Sequence, residues 1–365
     1  MIKIKLGCAL LLSDDTPTHL DNLLFKVLEG VYDGGSIQEA ATHSGLTYRH
    51  IWGYIKKWEE SLGLVLVEKK RGQGANLSDK GEKLLWAMRR SNARVMPQLQ
   101  DIANSIEREI NAALVDRERP IVIHASHDLA LSAIQEKLAK KIKQPLDIQV
   151  HGSLDCLMNL SRGKCDFAGF HLAETSVKGK SAHIAYRNWL RLGKHKLIHF
   201  ARREQGLMVA KGNPKKISCV EDLTKSDIRF INRQRSAGTR LEFDQLIRDA
   251  HIKSSSINGY QNEEFTHLAV AATVAAGMVD AGFGLRAAAE KFKLGFIPLV
   301  TEQYFLVCTK EKLSDPGTES LIAYLKSKDC KTRIEAMAGY DASDCGKIAS
   351  LKVALPWYTT TQNNL

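Results

Sequence analysis

Three segments of the chain place small hydroxyl side chains where an apolar strand gives way to a helix, and one of them adds arginines. In ASHDLA, Ser126 ends a strand and Asp128 begins a helix, and in HGSLDCL Ser153 holds the same kind of position. In INRQRSAGTRLEFDQLI, Ile231 ends a strand and Thr239 opens a helix, with Arg233, Arg235 and Ser236 between them. A helix N-terminus carries partial positive charge and backbone N–H groups without intrahelical partners, so these junctions suit an oxyanion. Arg233 and Arg235 add donors of fixed geometry, and Gly238 lets the backbone come close. Any one junction is also what an ordinary helix cap looks like; three at corresponding strand ends, one flanked by arginines, point to an anion cleft. In GYQNEEFTHLAVA, Thr266 can donate to the same ligand. Glu263 and Glu264 would repel a dianion, so they are expected to pair with Arg233, Arg235 or Arg240, or else to select a ligand that carries its own cation or amine.

A second set of residues suits contact with a nucleic acid. In GSIQEAATHSGLTYRHIWGYIKKWEESLG, Ser36 can cap a helix, Gly45 can turn the chain, and a further helix starts near Thr47. Tyr48, Ile51, Ile55 and Trp58 fall on one face at helical spacing, leaving Thr47, Arg49, His50, Gly53 and Lys56 outside. Residues at the exposed N-terminal end of such a second helix reach base edges, so Arg49 is expected on a guanine, with Lys56 and Lys57 on phosphate. Two short strands, 64–67 and 76–77, flank the basic loop of Lys69, Lys70 and Arg71, which reads as a wing. Helix, turn, helix and wing follow in the order of a winged helix-turn-helix on double-stranded DNA.

The elements that must position these residues divide the chain. Ile2, Ile4 and Leu6 alternate as in a half-buried strand, and a first helix follows at about 20–30. From Ser78 to about Leu114 an apolar seam of Val95, Leu99, Ile102, Ile106, Ile110 and Ala113 reads as a linker helix that pairs two copies, with Pro97 expected to kink or split it. After a polar link at 116–120, strands alternate with helices, which implies parallel βαβ units and ligands at the carboxyl ends of the strands. The expected boundaries are 1–90 for the DNA-binding domain, 91–118 for the linker helix, 119–345 for an α/β effector domain and 346–365 for a C-terminal tail, mobile from Pro356 onward.

Composition narrows the function classes. The net charge of +11 favours an anionic partner without choosing which. Seven scattered cysteines, none in a C-x-x-C pair, argue against zinc or a disulfide framework. No window approaches the roughly 18 apolar residues of a membrane span, and the start of the chain lacks the pattern of a signal peptide, so a cytoplasmic location away from membranes is expected. Ser126, His127 and Asp128 do not form a catalytic triad, because consecutive side chains diverge from the backbone. No enzyme activity is expected, and a transport receptor does not fit a chain fused to a DNA-binding segment.

Residues 18–90 resemble the LysR and ModE families of bacterial regulators, with the TYR at 47–49 followed by Trp52 closer to ModE. The region from Ile121 to Val307 is similar to the periplasmic-binding-protein-like domain attached to ModE-type DNA-binding domains. The segments that carry it include DFAGFHLAE, REQGLMVAKGNP, INGYQNEEFTHLAVAATVAAGMVDAGFG and GFIPLVTEQYFLV. The resemblance implies a two-lobed type II α/β fold with a cleft. The segment INRQRSAGTR is also similar to the SRG-x-x-SGT loop of tungstate-binding receptors. On that likeness Arg233 and Thr239 match the loop's arginine and threonine, Ser126 and Ser153 fall where hydroxyls hold the oxyanion, and Ala237 replaces a serine. The resemblance thus implies a homodimeric or tetrameric transcription regulator that needs no cofactor and senses tungstate or molybdate, the alternative being another small anion or a metabolite linked to molybdenum enzymes.

Overall fold

The computed structural model describes residues 4–358 apart from 8–9, 13–17, 21, 71–73, 115–118, 143, 175–181 and 236. It comprises two compact units, one of residues 5–99 and the other built mainly of residues 100–365. Arg71 of the expected wing, Ser236 of the expected anion cleft and the last seven residues of the expected tail lie outside the described residues.

In the smaller unit a hairpin of β1 (Leu10–Leu12) and β2 (Thr18–Leu20) precedes α1 (Asn22–Gly34), α2 (Ile37–Ser44) and α3 (Tyr48–Leu62). The strand expected from Ile4 and Leu6 is absent there, where the described backbone is irregular. Leu24, Val27, Leu28 and Val31 of α1 bury against Ile37, Ala40 and Ala41 of α2 and Ile51, Ile55 and Trp58 of α3. These are the apolar positions that recur at helical spacing, and the three helices close one core over them. Gly45 sits at φ 68° and its N–H reaches the Ala41 and Thr42 carbonyls, which ends α2 in a left-handed cap that a side chain would strain. The wing follows as β3 (Val67–Lys70) paired antiparallel with β4 (Gly74–Leu77), both strands placed differently from the sequence-based ranges. Then α4 (Asp79–Leu114) runs as one helix of 36 residues, with Pro97 inside it. Pro97 removes a single N–H bond, and that loss does not end the helix.

The larger unit is built on one mixed sheet. On one side β5 (Ile121–Ala125), β6 (Leu146–Val150) and β7 (Phe167–Ala173) run parallel, with α5 (Leu129–Lys141) and α6 (Ser153–Ser161) between them. After α7 (Ala182–Arg187) comes β8 (His195–Val209), a strand of 15 residues. The other parallel trio is β9 (Phe230–Arg233), β10 (Glu263–Glu264) and β11 (Ala281–Leu285), with α8 (Gly238–Asp249) and α9 (His267–Ala275) inserted between them. Past α10 (Arg286–Lys291), β12 (Gly295–Thr309) returns antiparallel to β8 along nearly its whole length. The sheet order β10-β9-β11-β8-β12-β7-β5-β6 shows what this achieves. The two long strands pass from one parallel trio to the other and so join two lobes. Purely parallel βαβ units, the reading from sequence, are therefore replaced at the centre by an antiparallel pair.

The last described elements lie on the first lobe. α11 (Pro316–Lys326) and α12 (Lys328–Glu335) pack there, and β13 (Tyr340–Asp341) and β14 (Ile348–Ser350) pair with β8. Residues 346–358, assigned to a tail, are thus part of the domain: after β14, α13 (Leu351–Ala354) and the turn at Trp357 bury Leu351, Leu355 and Trp357 in an apolar cluster with Phe170, Phe305 and Val307. Burial of these side chains is what holds the segment down.

Candidate functional site

The long strands cross between lobes where their sequences read ARREQG and VTEQYF, and there the sheet buries charge. Arg203, Gln205, Glu302 and Tyr304 are all buried at this crossing. In a strand, residues two apart share a face, so Arg203 and Gln205 point the same way, as do Glu302 and Tyr304. Arg203 Nε donates to Glu302 Oε2 at 3.0 Å and its Nη1 donates to Asp128 Oδ2 at 2.7 Å. Tyr340 donates to the same Asp128 oxygen at 2.8 Å, while Asp128 Oδ1 accepts from the Leu131 N–H at 2.8 Å and caps α5. Burial works against the Arg203 charge, and the Glu302 and Asp128 carboxylates overcome it, so its pKa is raised. Burial pushes the Glu302 carboxyl up, and Arg203 draws it back.

The sequence-predicted junctions surround this crossing. Ser126 Oγ lies 3.2 Å from His171 Nδ1 and donates to Tyr304 Oη at 3.2 Å; Ser153 Oγ lies 3.4 Å from the same His171 nitrogen. The Ser126 N–H is already used, since it donates to the Gly169 carbonyl. From the other lobe, a Cβ on Gly238 would stand 2.4 Å from His171 Nε2, so only glycine allows α8 to start against that ring. Thr239 Oγ1 accepts from Gln205 Nε2 at 3.4 Å and lies 3.5 Å from His267 Nε2. Two of the four helices that begin here, α6 at Gly152 and α8 at Ala237, have no side-chain cap, whereas Asp128 caps α5 and Thr266 caps α9. Thr266 spends an oxygen lone pair on the Ala269 N–H.

Several buried polar atoms in this place lack a hydrogen-bond partner: Arg203 Nη2, Arg233 Nη1, Gln205 Oε1 and one ring nitrogen each of His127, His171 and His267. Buried polar groups are normally paired, so such a convergence makes this crossing the candidate ligand site. Arg233 is anchored by Nη2 on the Phe265 carbonyl at 3.0 Å and Nε on Gln234 at 3.1 Å, which leaves Nη1 aimed at no acceptor. Burial, and then the neighbouring Arg203 charge, lower the Arg233 pKa to about 9. Arg235 is different. Its side chain is 79% exposed, near Glu263 at 3.8 Å and bonded to Gln261, so the geometry does not bring it to the cleft. Glu263 also accepts from Arg240 and Glu264 accepts from Thr273, which keeps both carboxylates engaged. Ser126 and His171 do not assemble a relay with Glu302, because His171 Nε2 is 3.8 Å from that carboxylate, beyond hydrogen-bond reach.

On the smaller unit, Ser36 Oγ accepts from the Glu39 N–H at 3.0 Å and Thr47 Oγ1 from the His50 N–H at 3.3 Å, so both hydroxyls serve as helix caps. Arg49, His50 and Lys57 are exposed along α3. Tyr48, expected on the inward face, is 41% exposed instead. Lys56 lies 2.6 Å from Glu59 and over the Trp52 ring, held by a partner the sequence reading missed. Glu59 Oε1 in turn accepts from the Leu66 and Val67 N–H groups at 2.8 and 3.1 Å; burial pushes its pKa up, but the Lys56 ammonium and then these two N–H groups pull it down. Lys69 and Lys70 lie on β3, with side chains outside the described residues.

A helix-turn-helix with a wing and a two-lobed α/β domain with a buried polar cleft define a DNA-binding regulator with a ligand-binding domain. Residues 24–82 match the model of the bacterial regulatory helix-turn-helix protein, lysR family, and residues 135–326, more than half of the chain, match that of the PBP superfamily domain. The chain belongs to the PBP superfamily and carries a LysR-type helix-turn-helix. It is 31% identical over 231 residues to uncharacterized protein YvgK of Bacillus subtilis (strain 168), an alignment that spans 63% of this chain and 74% of that protein. It is also 41% identical over 108 residues to a Clostridium pasteurianum protein described from the 5′ region of a 2Fe-2S ferredoxin gene, covering 29% of this chain and 96% of the relative. Among solved structures, a putative phosphate transporter substrate-binding protein from Clostridium perfringens aligns at 14% identity with a TM-score of 0.44, over 60% of this chain and 97% of that one. Among the described residues, no helix is long and apolar enough to cross a membrane.

Proposed function

We propose that the protein is a cytoplasmic, homodimeric transcription regulator whose cleft takes a small oxyanion, tungstate or molybdate, and whose α3 reads DNA through Arg49. The observation that carries the ligand reading is the pair of buried guanidinium nitrogens, Arg203 Nη2 and Arg233 Nη1, that have no acceptor. A guanidinium carries only donors, so a buried one without an acceptor requires an anion or another acceptor-rich ligand to satisfy it. The uncapped starts of α6 and α8 add backbone donors on either side of His171. Ser126, Ser153, Thr239 and Gly238 are the small side chains that leave room for the oxyanion between the lobes. Closure of the lobes on it then shifts the protein between DNA-binding states.

Isothermal titration calorimetry with tungstate, molybdate and sulfate tests the ligand. Heat is expected from a metal oxyanion at micromolar protein; its absence from both would sink the assignment. The second reading is another small anion or a metabolite linked to molybdenum enzymes, and the buried Glu302 beside Arg203 favours it, since a ligand with its own donor could use that carboxylate. A ligand extracted from the purified protein and identified by mass spectrometry separates the two.

A further inference from the structure

The formal charges that meet in the cleft cancel. Arg203 and Arg233 bring two guanidinium groups, and Asp128 and Glu302, both bonded to Arg203, bring two carboxylates. A dianion would find donors here, but no surplus of positive charge to offset its own, and a buried ion without counter-charge is strongly disfavoured. Three imidazoles stand in the same place. His127 adjoins the start of α5, His171 is on β7 and His267 opens α9, and each keeps one ring nitrogen without a partner: Nδ1 of His127, Nε2 of His171 and Nδ1 of His267. The second nitrogen of His171 is bracketed by Ser126 and Ser153, and that of His267 faces Thr239. A neutral imidazole has one donor and one acceptor, whereas a protonated one has two donors and a positive charge.

We infer that a dianionic oxyanion enters this cleft together with protons from solvent, which His127, His171 and His267 accept, so that their ring N–H groups become part of the anion's donor set. The inference rests on the anion reading above. The only bonds formed are N–H bonds, and the protons come from water or buffer. In the protein alone, burial and then the two arginines keep these rings neutral: His171 and His267 are held well below the usual histidine range and His127 falls to about 4. An anion against the rings reverses the sign of their nearest unpaired charge. Other titratable groups on the surrounding elements include Asp128 on the α5 cap, Glu302 and Tyr304 on β12, and Tyr340 on β13, with Tyr186 on α7, Arg240 and Glu242 on α8 and Glu264 on β10 around them. The three tyrosines are raised by burial and stay neutral. Glu302 is a further group able to take a proton, because burial already pushes its carboxyl up.

The test is calorimetry of the full chain with sodium tungstate and sodium molybdate at several pH values, in buffers that differ in ionisation enthalpy. The dependence of the observed heat on that enthalpy gives the protons taken up per anion. About one or more is expected, with affinity falling up to about tenfold per pH unit for each proton between the pKa of the ring in the free protein, about 4 for His127, and its pKa beside the bound anion. Binding without proton uptake overturns this inference and leaves the anion reading standing, while no binding of either anion overturns both. Nitrogen-15 spectra of histidine-labelled wild-type protein at pH 7 show directly whether rings become protonated when tungstate is added, without relying on a variant that folds. Neutral ring signals throughout, or uptake that persists in His171→Gln and His267→Gln but vanishes in Glu302→Gln, remove the histidines from the role.

Discussion

At the scale of single residues, Arg203 holds the most energy at stake. It is 1% exposed with a carboxylate on each side, and removing it leaves Asp128 and Glu302 buried without a cation. Breaking a buried ion pair from one side costs about 3–5 kcal/mol, so Arg203→Ala should lower unfolding free energy by about that much in urea titrations, and a change below about 1 kcal/mol would contradict the geometry. The histidines set an acid limit. Their folded pKa values lie below the unfolded value of about 6.5, so the folded chain binds fewer protons than the unfolded one as pH falls through that value. Stability is therefore full above about pH 6.5 and declines below it, by roughly 1.4 kcal/mol per pH unit for each such histidine until its folded pKa is reached. Thermal melts between pH 7.5 and 5 should show this fall, and a flat profile would mean the rings are not held neutral. Little of this was legible in the sequence. ARREQG and VTEQYF look like solvent-facing stretches, and only the alternation of Arg203 with Gln205 and of Glu302 with Tyr304 hints that one face of each is buried.

Elements were legible where one periodicity dominates and obscure where charge interrupts it. α1, α2 and α3 follow from apolar spacing and from Ser36, Gly45 and Thr47 as caps, all of which act locally. The 15-residue strands β8 and β12 are obscure because their charged halves break the apolar run, although pairing along both is what joins the lobes. The wing shows the same limit. Its anchor is Glu59, a charged residue on the helix before it, whose carboxylate receives the Leu66 and Val67 N–H groups. Leaving two buried N–H groups without an acceptor costs about 1–3 kcal/mol each, so Glu59→Ala should destabilise the smaller unit and loosen the wing. Faster amide exchange at Leu66 and Val67 than at Ile51 would report it, and unchanged exchange would show that the carboxylate does not hold the strand. In the larger unit Gly238 plays the comparable part. Gly238→Ala would drive a methyl into the His171 ring, so anion affinity should drop at least about tenfold, a loss of roughly 1.4 kcal/mol, and the overpacked contact should also lower the unfolding free energy by about 1–3 kcal/mol.

For the whole molecule, the helix α4 is the element through which one unit's chain continues into the other, since the division near residue 99 falls inside it. The seam expected for a second copy is only partly covered within one chain: Ile102 is 51% exposed, and Val95, Leu99, Ile106 and Ile110 are half-buried. An apolar side chain left in water on a long helix gains by pairing with its counterpart, and two DNA-binding units held together bind two half-sites with far higher effective concentration than one. Ile102→Glu should therefore convert the protein to a monomer in sedimentation velocity and weaken operator binding by about 100-fold or more, while the heat of anion binding stays as in the parent. Arg49→Ala distinguishes loss of the dimer from loss of base contact: it should leave the sedimentation coefficient alone and cost roughly 1–3 kcal/mol on the operator, with a smaller penalty on unrelated DNA. If both substitutions weakened all DNA equally and neither altered assembly, α3 would be acting through charge alone and the seam of α4 would have no second copy to meet. Because Ile102, Arg49 and the cleft residues are separate in the chain and do separate work, each can fail without the others, which makes the link from anion to dimer to operator testable one connection at a time.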